Sequence, residues 1–187
     1  MLDRRDFLRS LGLVAGASAA PGIAQATVSR AVSVTELLHR SSHSIVGTPL
    51  GSTAQWEEIG GHRRIVTFTT VRVEQTVNGG QTSETEVVVR TLGGRVGEIG
   101  QLVHGEAALI RGKASVMFLA PSRRSDLYVT AMSQGHYPLL ADSQDLLRLH
   151  ASPVLPELRR FDDAAVQQLP GNSLLQLERI LADPTKR

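Results

Sequence analysis

The chain contains no cysteine. That absence excludes disulfide scaffolds, thiol nucleophiles, cysteine-ligated zinc, iron–sulfur clusters and cysteine-anchored lipoproteins. Aromatic residues are scarce as well, at 4% of the sequence with a single tryptophan, which is too few for the stacked platforms that single-stranded nucleic acid needs. Charge of one sign is also missing. Twenty Lys and Arg face 18 Asp and Glu, a formal net charge of +2, whereas a dedicated nucleic-acid binder carries a clear basic excess or a clustered stripe. What remains is ordinary globular composition: 187 residues, 41% hydrophobic and 20% charged. That suffices for one domain with a buried core, and neither disorder nor collagen is consistent with it.

The first residues read as an address. Met1-Leu2-Asp3-Arg4-Arg5-Asp6-Phe7-Leu8-Arg9-Ser10 is a charged head, residues 11–20 are a weakly apolar run, and Pro21-Gly22 end it. Ala24-Gln25-Ala26 then supplies the small-x-small pattern that signal peptidase accepts, so cleavage is expected after Ala26. The Arg4-Arg5 pair with Phe7, Leu8 and basic Arg9 resembles the twin-arginine (Tat) signal family, S/T-R-R-x-F-L-K; Asp3 and Arg9 depart from it. This resemblance implies a protein that folds before export to the periplasm or beyond. The alternatives are a general secretory signal carrying two arginines, and an anchor that is kept rather than cut. An anchor calls for about 20 apolar residues, and this run is shorter and rich in Gly, Ala and Ser. Cleavage removes three arginines and two aspartates, leaving a mature net charge of +1.

Along the rest of the chain, strand signals dominate. Ser33-Val34-Thr35-Glu36 fits a capping box opening a short helix near 33–42. An extended segment follows through Pro49 toward Trp56; a proline cannot donate to a sheet ladder, so an edge or a bulge is expected there. Residues 64–77 predict a long strand whose apolar face switches near Thr69-Thr70 through a bulge or strong coiling. Asn78-Gly79-Gly80 is a turn signal, and the next strand, 82–92, puts Val87 and Val89 on one face. Five glycines within 93–105 read as a long loop. Residues 114–120 and 127–132 form an antiparallel pair, and 136–140 a last strand that closes the sheet. Prolines break up 142–171, with short helical turns expected near 143–150 and 162–168. Ser173 and Gln176 form a second capping box for a final helix through Ala182 with a Leu174, Leu177, Leu181 stripe.

This pattern is mainly β and fits a small antiparallel, OB-like barrel with a short N-terminal helix and a C-terminal helix. A β-sandwich is the alternative. The expected organisation is a signal peptide at 1–26, a barrel-like domain at 33–140 and a C-terminal extension at 141–187. The marks Glu36-Leu37-Leu38, Ser44-Ile45-Val46-Gly47-Thr48, Trp56, Arg64-Ile65-Val66-Thr67, Val71-Arg72-Val73-Glu74, Gly93-Gly94, Phe118-Leu119 and Gln134-Gly135 resemble an uncharacterised domain of exported bacterial proteins. That likeness implies a β domain and brings no catalytic residues.

Searches for chemistry return little. His39 and His43 have the i, i+4 spacing of a helical zinc pair, but Arg40-Ser41-Ser42 intervene where H-E-x-x-H needs a glutamate, so a solvated helix end is the better reading. His62, His104 and His136 are the weak candidates for a metal site. The glycine segment 93–100 lacks G-x-G-x-x-G, Gly112-Lys113 lacks a Walker context, and no G-x-S-x-G elbow occurs after the leader. The pairs Arg63-Arg64, Arg123-Arg124 and Arg159-Arg160 read as solvated turns. Trp56, Arg63, Gly93, Gly94 and Arg95 are therefore singled out as a possible binding surface. Two functions follow: an exported non-catalytic module of the cell envelope that binds an unknown protein or envelope component, and, as the alternative, a metal- or cofactor-dependent periplasmic enzyme. No cofactor is predicted, a metal is not excluded, and neither nucleic acid nor a membrane span after cleavage is expected.

Overall fold

A computed structural model describes residues 29–77, 84–122, 126–159 and 163–183. The leader, the Asn78-Gly79-Gly80 turn and the Arg123-Arg124 pair lie outside them. The described chain is mainly β. It opens with β1 (Ser29–Arg30) and α1 (Val34–Arg40), continues with β2 (His43–Ile59), β3 (His62–Thr76), β4 (Glu86–Leu92), β5 (Gly94–Val96), β6 (Ile99–Gln101), β7 (Ser115–Pro121), β8 (Leu127–Val129), β9 (His136–Ala141), β10 (Leu147–Leu149) and β11 (Leu158–Arg159), and ends with α2 (Ala165–Gln168) and α3 (Leu174–Ala182).

Seven strands form one mixed sheet in the order β10-β9-β7-β2-β3-β4-β8, and β7 also pairs with β8. The pairings can thus be followed from β7 through β2, β3, β4 and β8 back to β7. Most steps are antiparallel, but β4 and β8 run parallel, Val89 opposite Leu127 and Arg90 opposite Tyr128. This corrects the expectation of a purely antiparallel sheet: the connection from β4 returns through β7, which reverses the direction in which β8 arrives.

Side-chain alternation along β7 separates two cores. Met117 and Leu119 join Ile45, Val71, Val87, Val89, Leu127 and Val129 in a cluster fed by β2, β3, β4, β7 and β8. Val116 and Phe118 face the other way, packing with Val46, Tyr137, Leu139 and Leu149 against Leu37 of α1, Ala165 of α2 and Leu177, Ile180 and Leu181 of α3. Phe118 and Tyr137 meet edge to face, with ring centroids 6.1 Å apart. Because both faces are covered, six of the seven residues of β7 are buried, and the strand reads as a continuous apolar run.

The capping signals are realised in half at α1 and in full at α3. The Ser33 hydroxyl accepts from the Glu36 amide at 3.1 Å, while the Glu36 carboxylate meets Arg30 and Arg40 at 3.4 and 3.3 Å. At α3 both halves of the capping box form between Ser173 and Gln176. The bulge near Pro49 falls on β2, where the register slips between Pro49 and Gly51 opposite Val71 and Thr70. As a result β3 keeps one inner face, carrying Ile65, Thr69 and Val71, and does not switch there; Val66 is buried on its other face.

Two further expectations are corrected, and one histidine pair falls on different elements. Within the glycine loop, β5 and β6 pair as a hairpin, Gly94 opposite Gln101 and Val96 opposite Ile99, because Gly97, at φ 60°, permits the reversal. The helical turn expected at 143–150 is replaced by β10, which pairs with β9. His39 and His43 do not share a helix, since α1 stops at Arg40 and His43 begins β2.

Candidate binding surface

β2 and β3 outrun their neighbours. β7 pairs with β2 only from His43 to Gly47, and β4 pairs with β3 only from Val66 to Arg72. The β2–β3 ladder continues to Ile59 opposite His62, where Gly60 and Gly61, at φ 59° and 77°, supply the two positive φ values of a two-residue hairpin turn. Beyond the end of β4 the backbone of Ile65 needs other partners. Its carbonyl accepts from the Gly93 amide at 2.8 Å, and its amide donates to the Gln101 side chain at 2.7 Å. The Thr67 hydroxyl adds a bond to the Gly93 carbonyl at 2.7 Å. These contacts lay the β5–β6 hairpin across the projecting ladder.

Gly94 makes the approach possible. A Cβ there would meet the Thr67 hydroxyl oxygen, with the Ala54 Cβ at 3.3 Å and Ile65 Cγ2 at 3.4 Å, and the residue has φ 126°. On the same ladder face, Trp56 stands opposite Ile65 and Glu58 opposite Arg63, so Arg63 lies diagonal to Trp56. Its guanidinium carbon sits 4.9 Å from the centre of the indole ring, a cation–π contact of about 0.5–1 kcal/mol at a solvent-facing site. Trp56 itself is half-buried and Arg63 exposed. Arg95 donates through Nε to the Gly97 carbonyl at 3.0 Å. Two apolar side chains continue this end into solvent: Ile99 is 57% and Leu102 80% exposed. The five residues proposed from sequence thus belong to one hairpin end and the hairpin laid on it.

The chain matches no protein-family model, no curated protein and no solved structure.

The histidines are dispersed in their surroundings. His62 is exposed at the β2–β3 turn, His104 is exposed between β6 and β7, and His136 is buried at the start of β9 with Nδ1 3.4 Å from the Ser152 hydroxyl. Burial lowers the His136 pKa to about 4. Among the described residues no group of three or more metal-capable side chains is assembled. Two clefts, of about 210 and 270 Å³, flank Ala31 and Ala164, and none of the candidate residues lines them. Among the described residues no helix is long and apolar enough to cross a membrane.

One charged cluster escaped sequence reasoning. On the ladder face opposite Trp56, Arg90 donates to Glu57 at 2.7 Å and approaches the Asp126 carboxylate at 3.8 Å. Nearby in the chain, the Glu106 carboxylate accepts from the Leu92 and Ala107 amides, both at 3.0 Å, and burial raises its pKa. Glu57 alternates with Trp56 along β2, and that alternation was the one sequence signal that placed it on the far face. Its partner on β4 depends on a pairing that no local pattern announces.

Proposed function

We propose that the protein is an exported, non-catalytic binding module of the bacterial envelope, built on a closed OB-like barrel. The closed barrel is supported by the circuit of pairings through β2, β3, β4, β8 and β7 and by an apolar cluster to which all five strands contribute; two stacked sheets would leave that circuit open. The binding role rests on a single observation. Trp56 and Arg63 stand in contact on the projecting end of the β2–β3 ladder, and Gly93, Gly94 and Arg95 belong to the hairpin laid against that ladder, with exposed Ile99 and Leu102 near them in the chain. An aromatic ring, a guanidinium and exposed aliphatic side chains on a projecting hairpin end are the composition of a protein-contact surface. The partner is an envelope protein or component, met after export by the twin-arginine route through Arg4 and Arg5.

Two experiments test this reading. A photoreactive benzophenone side chain at Leu102 is expected to give a light-dependent adduct in intact exporting cells. The same group at Leu175, which is 58% exposed on α3, is expected to give none; adducts from 175 with none from 102 would remove the surface from consideration. For the route, replacing Arg4→Lys together with Arg5→Lys is expected to hold the chain in the cytoplasm with its leader attached. Undiminished export of that double variant would refute the twin-arginine assignment.

A further inference from the structure

Resting on that reading of the surface, we infer that the Trp56–Arg63 stack is a carboxylate-recognition site for an acidic polypeptide segment. Five other arginines in the described chain spend their guanidinium on a carboxylate: Arg30, Arg40, Arg72, Arg90 and Arg148. Arg63 does not, although Glu58 stands directly opposite it in the ladder. It takes the diagonal indole face instead, and among the described residues it has neither an ion pair nor a hydrogen bond. A cation–π contact occupies one face of the guanidinium and leaves its N–H donors free to receive a carboxylate in two parallel bonds. The stack thereby bears part of the ordering cost that an exposed arginine would otherwise meet on binding. The neighbourhood decides the ligand class. Glu58 and Glu98 balance Arg63 and Arg95 at this end, so its field gives a polyphosphate chain no net attraction. A single tryptophan offers no row of stacking partners for successive bases. An acidic peptide needs only one available guanidinium and some apolar contact, and the exposed Ile99 and Leu102 in and next to β6 offer the latter.

Trp56 is the sole tryptophan, so its fluorescence reports this site alone. The probe is a short synthetic peptide of alternating Glu-Glu-Leu units, titrated into the folded mature protein at about 0.15 M salt, where unstructured long-range attraction is screened. A saturable change in Trp56 emission is expected. Binding should weaken roughly tenfold in Arg63→Gln, stay within about twofold in Arg64→Gln, and vanish for the same peptide with glutamine in place of glutamate. Arg63→Gln alters an exposed side chain, and its circular dichroism should match the parent. A silent titration, equal binding by the glutamine peptide, equal binding by Arg63→Gln, or tighter binding of an oligothymidylate would each overturn the inference. A Leu102 adduct in cells combined with a silent titration would reject the acidic ligand and leave the binding surface standing.

Discussion

Acidification from about pH 7.5 to about pH 4 is expected to remove about 3 kcal/mol of folding stability through His136 alone. The side chain is 3% exposed, and burial holds its folded pKa at about 4, against about 6.5 in the unfolded chain. Between those values the unfolded chain binds the proton and the folded one does not, so stability is complete above the unfolded value and is lost as the pH falls toward the folded one. Other groups act differently. Glu74 and Asp142 have pKa values lowered by Arg72 and Arg148, and their contributions are lost only below the ordinary carboxylate range. Glu106, raised by burial, takes up its proton in the folded state first and so partly offsets the loss. Urea unfolding of the parent and His136→Gln across this range isolates the histidine, because the carboxylate contributions cancel in the difference. The variant should show a slope flatter by about 3 kcal/mol over the window. Parallel curves for the two proteins would mean that His136 is reached by water and protonates freely in the fold.

The second large effect is expected at the binding surface. Gly94→Ala must place a methyl group against the Thr67 hydroxyl oxygen, whose own bond to the Gly93 carbonyl fixes it, and must do so at φ 126°. Backbone strain of about 1–3 kcal/mol adds to overpacking of similar size, so a loss of about 3 kcal/mol and a fall of about 6–12 °C in Tm are expected. Relief comes from lifting β5 off the ladder, which should expose Trp56 and shift its emission to longer wavelength. Gly100→Ala is the matched control on the same hairpin: the nearest atom to its new Cβ is the Gly94 carbonyl oxygen at 3.9 Å, and it has no positive φ. Near-equal Tm values for the two variants would show that the hairpin is not seated on the ladder as described.

Several features were legible because their causes are local. Ser33 and Ser173 cap their helices through amides three residues away, and Val87 and Val89 are buried on alternate positions of β4 because a strand repeats every two residues. The length of β3 was readable from its Val, Ile, Thr and Phe content, and the interruption near Pro49 from its missing donor. Even the grouping of Trp56 with Arg63 was within reach, since two residues flanking a hairpin turn on one face must approach each other.

What the sequence determined alone was therefore local: the starts of α1 and α3, the long extended segments, and the alternation that buries Val87 and Val89 of β4. Only the tertiary structure decided which strands meet. The parallel step from β4 to β8 and the seating of the β5–β6 hairpin on the β2–β3 ladder depend on partners distant in the chain, whose pairing has no short-range signature. Burial followed the same rule. His136 looks like any polar residue beside an apolar strand until segments from β7 and the Ser152 region close over it, and Arg90 becomes the partner of Glu57 only when β4 is set beside β3. Desolvation and charge pairing are properties of assembled surroundings, so the chemistry of these residues was settled by packing rather than by their place in the chain.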